Sequence, residues 1–261
     1  MSIAILATDC DSTWIVANAL AHEFEVAEIV IEQPVSKAKF LKRRAKRLGM
    51  GTVAGQVAFQ VFSRYLHFES REQKQRIVDR NGWESGVPGS AAVHRVESVN
   101  HSDSIALISQ LNVDAIIING TRILSKKLLS AISVPVINMH AGITPRYRGV
   151  HGGYWALARK DEENAGVTVH LVDSGIDTGD VLYQGRFNVS GEDNFATYPL
   201  LQLEEGIPLL KNAVRDALRD GLKPTAVKDH SELFYHPTIW QYVANRALSN
   251  VKYHGPPARE C

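Results

Sequence analysis

Cysteine is scarce in this chain of 261 residues, and no long apolar run is present. The two cysteines are Cys10 and Cys261, so we expect no disulfide framework and a reducing compartment. No apolar run approaches the roughly 18 residues that a membrane helix needs, and Asp9 comes too early for a signal peptide. The formal net charge of +1 argues against a protein built wholly around nucleic acid. We therefore expect a cytoplasmic protein with no membrane span and no nucleic-acid partner.

The remaining composition is that of an ordinary globular protein, with 44% hydrophobic and 22% charged residues. A chain of this length suits one large α/β domain with an appendage, and it can build a core without a disulfide or a metal. We predict a main domain over residues 1–220 and a C-terminal extension over 221–261 that packs on it. Apolar residues of the extension or of residues 33–90 are candidates for a homodimer interface.

Short apolar runs alternate with amphipathic stretches along most of the chain. This alternation predicts a doubly wound, mostly parallel α/β sheet, because parallel strands need helical crossovers. We expect Ser12 or Thr13 to cap the first helix, and Pro199 or Pro208 to break a later one at least once. The predicted strands are 3–7, 25–31, 92–96, 114–119, 135–139, 167–172 and 180–187, and the later helices are 102–111, 125–131 and 195–219.

Residues 33–90 interrupt this alternation with a basic run that is followed by an apolar, aromatic stretch. One interpretation is a helical insertion with a solvated basic face and a buried apolar face. The other is a patch for phosphate-bearing substrates, a membrane surface or RNA. The basic residues are Lys37, Lys39, Lys42, Arg43, Arg44, Lys46 and Arg47, and the apolar ones are Val53, Val57, Phe59, Val61, Phe62, Tyr65, Leu66 and Phe68.

Polar side chains that could carry chemistry gather between residues 114 and 182. Asn138 and His140 lie two apart at the end of an apolar strand, so strand periodicity points both side chains to one face. Ligands of open α/β sheets bind at the carboxyl ends of the strands, where this pair is expected. Asp173, Asp177 and Asp180 lie on a second, turn-rich loop that could supply a carboxylate partner.

An amide, an imidazole and a nearby acid suit acyl transfer. They provide an oxyanion donor, a proton shuttle and a group that sets the charge or tautomer of the imidazole. The alternative is that His140 is a structural hydrogen-bonding residue. No Gly-x-Ser-x-Gly elbow signals a serine nucleophile, no metal-ligand spacing appears among the ten histidines, and Cys10 is expected to pack.

Three segments together resemble the folate-dependent formyltransferase family, namely 119–125, 137–149 and 166–182. The combination of Asn-x-His, Pro-x-x-Arg-Gly and Asp-x-Gly-Asp in this order is specific, and the resemblance covers about residues 114–187. It implies a Rossmann-like formyltransferase catalytic domain over 1–220, with 33–90 as a helical insertion. It also implies 10-formyltetrahydrofolate as the formyl donor and no metal.

The resemblance further implies roles for particular residues. Asn138 and a protonated His140 would stabilise an oxyanion, and Asp177 would keep the imidazole charged, because a nearby carboxylate raises a histidine pKa. Residues on two loops would hold the pterin ring of the donor. The implied catalytic residues are Asn138, His140 and Asp177, and the implied donor-binding residues are Arg122, Ile123, Leu124, Asp173 and Ile176.

Departures from the family pattern bear on the acceptor. Residues 8–13 replace the glycine-rich turn that holds a ribose phosphate in purine-pathway relatives, and their two acids would repel phosphate. The extension is too short for the C-terminal barrel of tRNA-directed relatives. We therefore expect a small-molecule primary amine as acceptor, best an amino-sugar nucleotide. Open alternatives are an amino acid, glycinamide ribonucleotide or aminoacyl-tRNA as acceptor, hydrolysis of formyltetrahydrofolate, folate binding without catalysis, and an RNA- or membrane-associated role of residues 33–68.

Overall fold

The computed structural model describes residues 1–89 and 91–248. The strands form where short runs rich in β-branched residues recur. They are β1 (Ser2–Thr8), β2 (Glu25–Glu32), β3 (Ala92–Val96), β4 (Ala115–Asn119), β5 (Val136–His140), β6 (Arg148–Gly149), β7 (Gly166–Leu171), β8 (Val181–Arg186) and β9 (Leu233–Phe234). The helices are α1 (Asp11–Ala21), α2 (Lys37–Leu48), α3 (Met50–Glu69), α4 (Arg71–Arg80), α5 (Ser102–Ser109), α6 (Lys126–Ala131), α7 (Gly152–Ala158), α8 (Tyr198–Ala217) and α9 (Ile239–Leu248).

Seven strands form one mostly parallel sheet in the order β3-β2-β1-β4-β5-β7-β8. The pairs from β3 to β5 are all parallel. Strand β7 reverses direction and runs antiparallel to both β5 and β8. The predicted doubly wound, mostly parallel sheet is confirmed.

Alternate residues of β1 show how the sheet separates two cores. Ile3 and Ile5 belong to the cluster formed with α1 and α8. Ala4 and Leu6 belong to the cluster formed with α5 and α6. All four side chains are fully buried, as a strand covered by helices on both faces requires.

Helix α1 begins earlier than the sequence predicts. Its first residue is Asp11 and its N-cap is Cys10, so the prediction of Ser12 or Thr13 as the cap is wrong. Thr13 instead donates its hydroxyl hydrogen to the carbonyl oxygen of Thr8 at 2.7 Å. This bond ties the first turn of the helix to the end of β1, and the hydroxyl oxygen accepts from the Asn119 amide at 3.0 Å instead of from a helix N–H.

Helix α8 runs without interruption over its 20 residues, so the predicted break is wrong. Pro199 lies in the first turn, where a backbone N–H has no helical partner to lose. Pro208 lies inside the helix and removes one hydrogen bond. Its neighbours Ile207 and Leu210 are buried against the sheet, and this packing holds the helix together across the missing bond.

The helical segment predicted for residues 33–90 is present as α2, α3 and α4. Helix α3 buries Val53, Phe59 and Leu66. Phe62 packs partly against the same core, whereas Tyr65 and Phe68 are 56% and 61% exposed. The prediction of a buried apolar face therefore holds for one side of this helix only. No helix in the described part of the chain is long and apolar enough to cross a membrane.

The helical segment and the last described residues share an aromatic core. The ring of Phe59 lies 4.8 Å from that of Phe195 and 5.0 Å from that of Tyr242 on α9, measured between centroids. Strand β9 pairs in parallel with β6 as a two-stranded ribbon. Residues 249–261 of the predicted extension lie outside the described residues.

We expect Phe59→Ala to lower the free energy of unfolding by about 3–5 kcal/mol, because it leaves a cavity among buried rings. Val61→Ala on the same helix is the matched control. Since Val61 is 61% exposed, its replacement should change stability by no more than about 0.5 kcal/mol. Urea unfolding followed by circular dichroism measures both variants, and equal losses would contradict the packing of Phe59.

Candidate active site

The end of β5 places two polar side chains on one face of the sheet. Asn138 and His140 are separated by one residue, so both project to the same side. His140 is 6% exposed and Asn138 is half-buried. The site therefore lies at the carboxyl end of a central strand, where ligands of such sheets bind.

The carboxylate of Asp177 meets both of these side chains. Its Oδ2 lies 3.4 Å from Nδ1 of His140, and its Oδ1 lies 3.5 Å from Nδ2 of Asn138. The backbone N–H of Gly149 donates to Oδ2 at 2.9 Å and holds the carboxylate from another side. The structure thus brings together the three residues implied to be catalytic, and their role stays a prediction.

The turn that carries Asp177 adopts a costly backbone conformation. The φ angle of Asp177 is +50°, in the left-handed region that few non-glycine residues adopt. On one side, Arg148 donates from Nη1 to the carbonyl oxygen of Ile176 at 3.0 Å. On the other, the hydroxyl of Thr178 donates to the Asp173 carboxylate at 2.7 Å. These bonds hold the turn, so the surrounding loop sustains the strain.

His170 belongs to the site and is not among the residues that the sequence predicts. The antiparallel register of β7 puts it directly opposite Asn138. Its Nδ1 lies 2.7 Å from the carbonyl oxygen of Leu171 and therefore carries the ring hydrogen. Its Nε2 then accepts from the Asn138 amide at 3.1 Å, which fixes the direction of that amide. The polar alternation of Thr168 and His170 within an apolar strand was the available signal.

A backbone carbonyl fixes the tautomer of His140. Its Nε2 lies 2.7 Å from the carbonyl oxygen of Tyr147, so Nε2 carries the hydrogen. Burial lowers the pKa of His140, and the Asp177 carboxylate and the Tyr147 carbonyl offset this only in part. The imidazole is therefore neutral at pH 7 in the resting protein. This direction runs against the expectation of a protonated His140, because lost hydration outweighs the attraction of the carboxylate, and the charge of His140 during the reaction stays a prediction.

The tight loop over His140 explains why glycine follows Ala141. A Cβ atom at Gly142 would lie 2.9 Å from Nε2 of His140 and would strike the carbonyl oxygen of Tyr147. The buried hydroxyl of Thr168 donates to the carbonyl oxygen of Gly142 at 2.8 Å and fixes the loop from below. This close approach requires a residue without a side chain.

Asp177 stays ionised although it is largely buried. Burial acts to raise its pKa, but His140, His170 and the Gly149 N–H outweigh this effect and bring the pKa to about 2. Because this pKa lies below the ordinary value of about 4, Asp177 contributes stability that is present above pH ~4 and is lost as the pH falls through the folded pKa.

We expect Asp177→Asn to lower the pKa of His140 further, because the carboxylate is the largest influence that raises it. Asparagine has the same shape and tolerates a φ of +50°, so the loop should survive. Histidine-selective NMR against pH measures the change, with the exposed His230 as internal reference. A pKa of His140 that is unchanged or higher in the variant would contradict the contact.

A buried carboxylate holds the loop after β4, which carries three implied donor-binding residues. Glu32 is 1% exposed and accepts from the backbone N–H of Arg122 at 2.5 Å and from its guanidinium at 3.0 Å. It also accepts from the N–H of Val99 at 3.2 Å. The amide of Asn100 donates to the carbonyl oxygen of Ile123 at 2.9 Å. The arginine is thus engaged in the fold, and the loop presents Ile123, 56% exposed, to solvent.

The two loops that carry the implied donor-binding residues start from one core cluster. Leu124 is buried in the cluster beneath α5 and α6, and Val172, just before Asp173, packs against the same cluster. A surface cleft borders the second loop beyond Ile176, and it is lined in part by residues 177–181. The donor-binding roles of these residues stay predictions.

We expect Glu32→Gln to lower stability by about 3 kcal/mol, because it leaves the Arg122 guanidinium without its buried charge partner. Glu28→Gln on the same strand is the control, since Glu28 forms a half-exposed pair with His94 and should cost about 1 kcal/mol or less. Thermal unfolding separates the two variants. Similar losses would show that the buried pair does not hold the loop.

Asp9, the first acid of the turn after β1, is held by hydrogen bonds from two other side chains. Asp9 accepts from the guanidinium of Arg95 at 2.9 Å and from the indole N–H of Trp14 at 3.0 Å.

Cys10 is exposed, so the expectation that it packs is wrong. Its Sγ lies 3.3 Å from the hydroxyl of Ser12. In the part of the chain that the structure describes, no group of three or more His, Cys, Asp or Glu side chains is arranged to hold a metal ion.

The formyl transferase family model matches residues 40–204 of the chain. Among curated relatives, a methionyl-tRNA formyltransferase of Clostridioides difficile is 27% identical over 171 residues, which are 65% of this chain and 53% of that protein. The corresponding protein of Methylacidiphilum infernorum is 32% identical over 148 residues, which are 56% of this chain and 46% of that protein. The chain spans about half the length of the curated relatives it matches.

Solved structures with the same fold include a sugar N-formyltransferase from Shewanella, with a TM-score of 0.55 and 14% identity over 90% of this chain and 76% of that one. A 4-N formyltransferase from Francisella tularensis has a TM-score of 0.56 and 16% identity over 97% and 89%. Glycinamide ribonucleotide transformylase 1 from Symbiobacterium toebii has a TM-score of 0.56 and 17% identity over 87% and 94%.

Proposed function

This chain belongs to the formyl transferase family, and on that premise we propose that it transfers a formyl group from 10-formyltetrahydrofolate to the primary amine of a small molecule. The observation that carries the proposal is the meeting of Asn138, His140 and Asp177 at the end of β5. An oriented amide, a buried imidazole and an ionised carboxylate are the groups that acyl transfer to an amine needs.

The loops beside this site fit a folate donor. Ile123 presents an exposed apolar side chain on a loop that Glu32 holds rigidly, which suits contact with a flat aromatic ring. In this proposal Arg122, Ile123 and Leu124 form one wall, and the loop containing Asp173 and Ile176 forms the other. When bound, the folate supplies a formyl group on a nitrogen that can leave.

The residues at the end of β5 would divide the work of the reaction. Asn138 would donate an N–H to the oxygen that gains negative charge, because its second N–H makes only a long contact of 3.5 Å with Asp177. Neutral His140 would take the proton that the attacking amine loses, through the lone pair of Nδ1. The imidazolium would then lie between the Asp177 carboxylate and the Tyr147 carbonyl, both of which stabilise its charge. It would give the proton to the folate nitrogen as the bond between that nitrogen and the formyl carbon breaks.

The acceptor we propose is an amino-sugar nucleotide. Two of the proteins that share the fold are a sugar N-formyltransferase and a 4-N formyltransferase, and they align over most of this chain. At the turn after β1, Asp9 and Asp11 place two acids beside the start of α1, which disfavours a phosphate there. This arrangement speaks against glycinamide ribonucleotide as the acceptor.

We expect Asn138→Ala and His140→Ala each to lower kcat by roughly 100–1000-fold, because each removes a group that acts on the developing charge or the proton. Absorbance at the wavelength of folate deformylation measures the rate, with amino-sugar nucleotides, amino acids and glycinamide ribonucleotide as acceptors. His230→Ala, at an exposed position outside the site, is the control and should leave kcat unchanged.

Near-normal turnover in either site variant would remove that residue from the mechanism. Folate release that needs no amine would indicate a hydrolase instead. Release that depends on an amino acid or glycinamide ribonucleotide, and not on an amino sugar, would overturn the proposed acceptor while leaving the transferase intact.

A further inference from the structure

Two neutral histidines lie side by side where the helical segment 33–90 meets the last described residues. Nε2 of His151 is 2.8 Å from Nδ1 of His236. Burial lowers the pKa of His151 to about 3 and that of His236 to about 4, and nearby Arg44 adds to both effects. His151 also has a φ of +59°, which few side chains adopt. The formyl-transfer mechanism uses neither ring.

This pair is connected directly to the candidate active site. Strand β6 ends at Gly149, whose N–H binds the Asp177 carboxylate. Two residues later comes His151. The partner strand β9 ends at Phe234, two residues before His236, and the carbonyl oxygen of Phe234 accepts from the N–H of Val150 at 3.2 Å. The ribbon therefore places the two imidazoles beside the residues that hold the catalytic carboxylate.

A half-buried guanidinium faces the same place from helix α2. Arg44 lies 4.8 Å from the ring centroid of Phe40 and 5.9 Å from that of Tyr235, and Arg47 lies 5.4 Å from the latter. Within the described residues, neither arginine forms an ion pair with a carboxylate. Burial lowers the pKa of Arg44, which nevertheless remains charged. A partly buried charge without a counter-charge is costly, so the arrangement favours an anionic ligand.

A polar atom without a partner adds to this arrangement. Gln56 on α3 is 3% exposed and donates from Nε2 to the carbonyl oxygen of His236 at 2.7 Å. Its Oε1 is buried and has no hydrogen-bond partner among the residues that the structure describes. Buried polar atoms are seldom left unpaired, and as an acceptor this oxygen would pair with an N–H or O–H group of a ligand and not with its phosphate oxygens.

We propose that Arg44 and Arg47, together with the His151–His236 pair, bind a diphosphate group of the acceptor and so position its amine at the site of formyl transfer. The inference rests on the proposed function, because it assigns the part of the acceptor that is held away from the reacting nitrogen. Arginine forks match phosphate oxygens with two hydrogen bonds, and stacking on Tyr235 orients the planar group. Because one ring donates its N–H to the other, the neutral pair keeps a single N–H that can donate to the same oxygens.

The test is direct binding of inorganic pyrophosphate by isothermal titration calorimetry, with malonate as a carboxylate of similar size. Arg44→Gln should weaken pyrophosphate binding about tenfold or more, because it removes charge-assisted hydrogen bonds. Arg43→Gln is the matched control, since it removes the same charge from an exposed neighbour on the same helix. Arg44→Lys should fall between, because it keeps the charge and loses the fork. Thermal unfolding of each variant checks that the fold is intact.

A loss confined to the position 44 variants, with malonate binding much more weakly, supports the proposal. Equal losses at positions 43 and 44 would indicate a diffuse basic surface, as for RNA, and would overturn it. No binding of pyrophosphate by the unaltered protein, or equal binding of malonate, would overturn the diphosphate assignment. None of these results depends on formyl transfer, whose failure would be seen separately in the deformylation assay.

Discussion

The contact between the Asp177 carboxylate and the polar pair on β5 is the interaction on which the rest of the site depends. It joins residues almost forty positions apart in the sequence. Because β7 runs antiparallel to β5, its last residue lies opposite Ile137, and the following loop must turn back to reach His140. The left-handed turn at Asp177 and the Gly149 N–H complete that return. The reversal of β7 and the left-handed conformation of Asp177 thus act together to bring the carboxylate to His140.

Opposing electrostatic effects set the charge state of this contact. Burial favours neutral forms of both partners, and it prevails for His140 but not for Asp177. The pKa of Asp177 is lowered by His140, His170 and the Gly149 N–H together, whereas the Asp177 carboxylate and the Tyr147 carbonyl offset the burial of His140 only in part. The resting site therefore holds one negative charge and an empty proton position beside it. That state suits a reaction in which a neutral amine must lose a proton as it attacks.

The fold of this protein can be predicted from the sequence more fully than its candidate active site. Short apolar runs predict the strands, and strand periodicity predicts that Asn138 and His140 share a face. The partnership of Asp177 was implied only by family resemblance, since three acids on one loop cannot be distinguished by spacing. The sequence analysis did not identify His170 as a site residue, because its contact with Asn138 depends on the register between β5 and β7, which no local pattern reveals. The lowered pKa of His140 could not be predicted for a similar reason, because the extent of burial is a property of the packed fold.

Errors at helix boundaries have the same physical origin. Thr13 has the hydroxyl of a cap but binds the carbonyl oxygen of Thr8, and Pro208 does not break α8 because the helix packs on the sheet.

The basic run over 37–47 shows the opposite case, in which composition alone left two interpretations open. In the structure Arg44 lies beside Tyr235 and next to the ribbon that holds Asp177, and this position favours the interpretation as a phosphate-binding patch. The Glu32-bound loop presents an apolar side chain, Ile123, and the arginines of α2 present positive charge. In the proposed reaction, the apolar ring system of the donor and the phosphate-bearing acceptor would thus be held by surfaces of different chemical character.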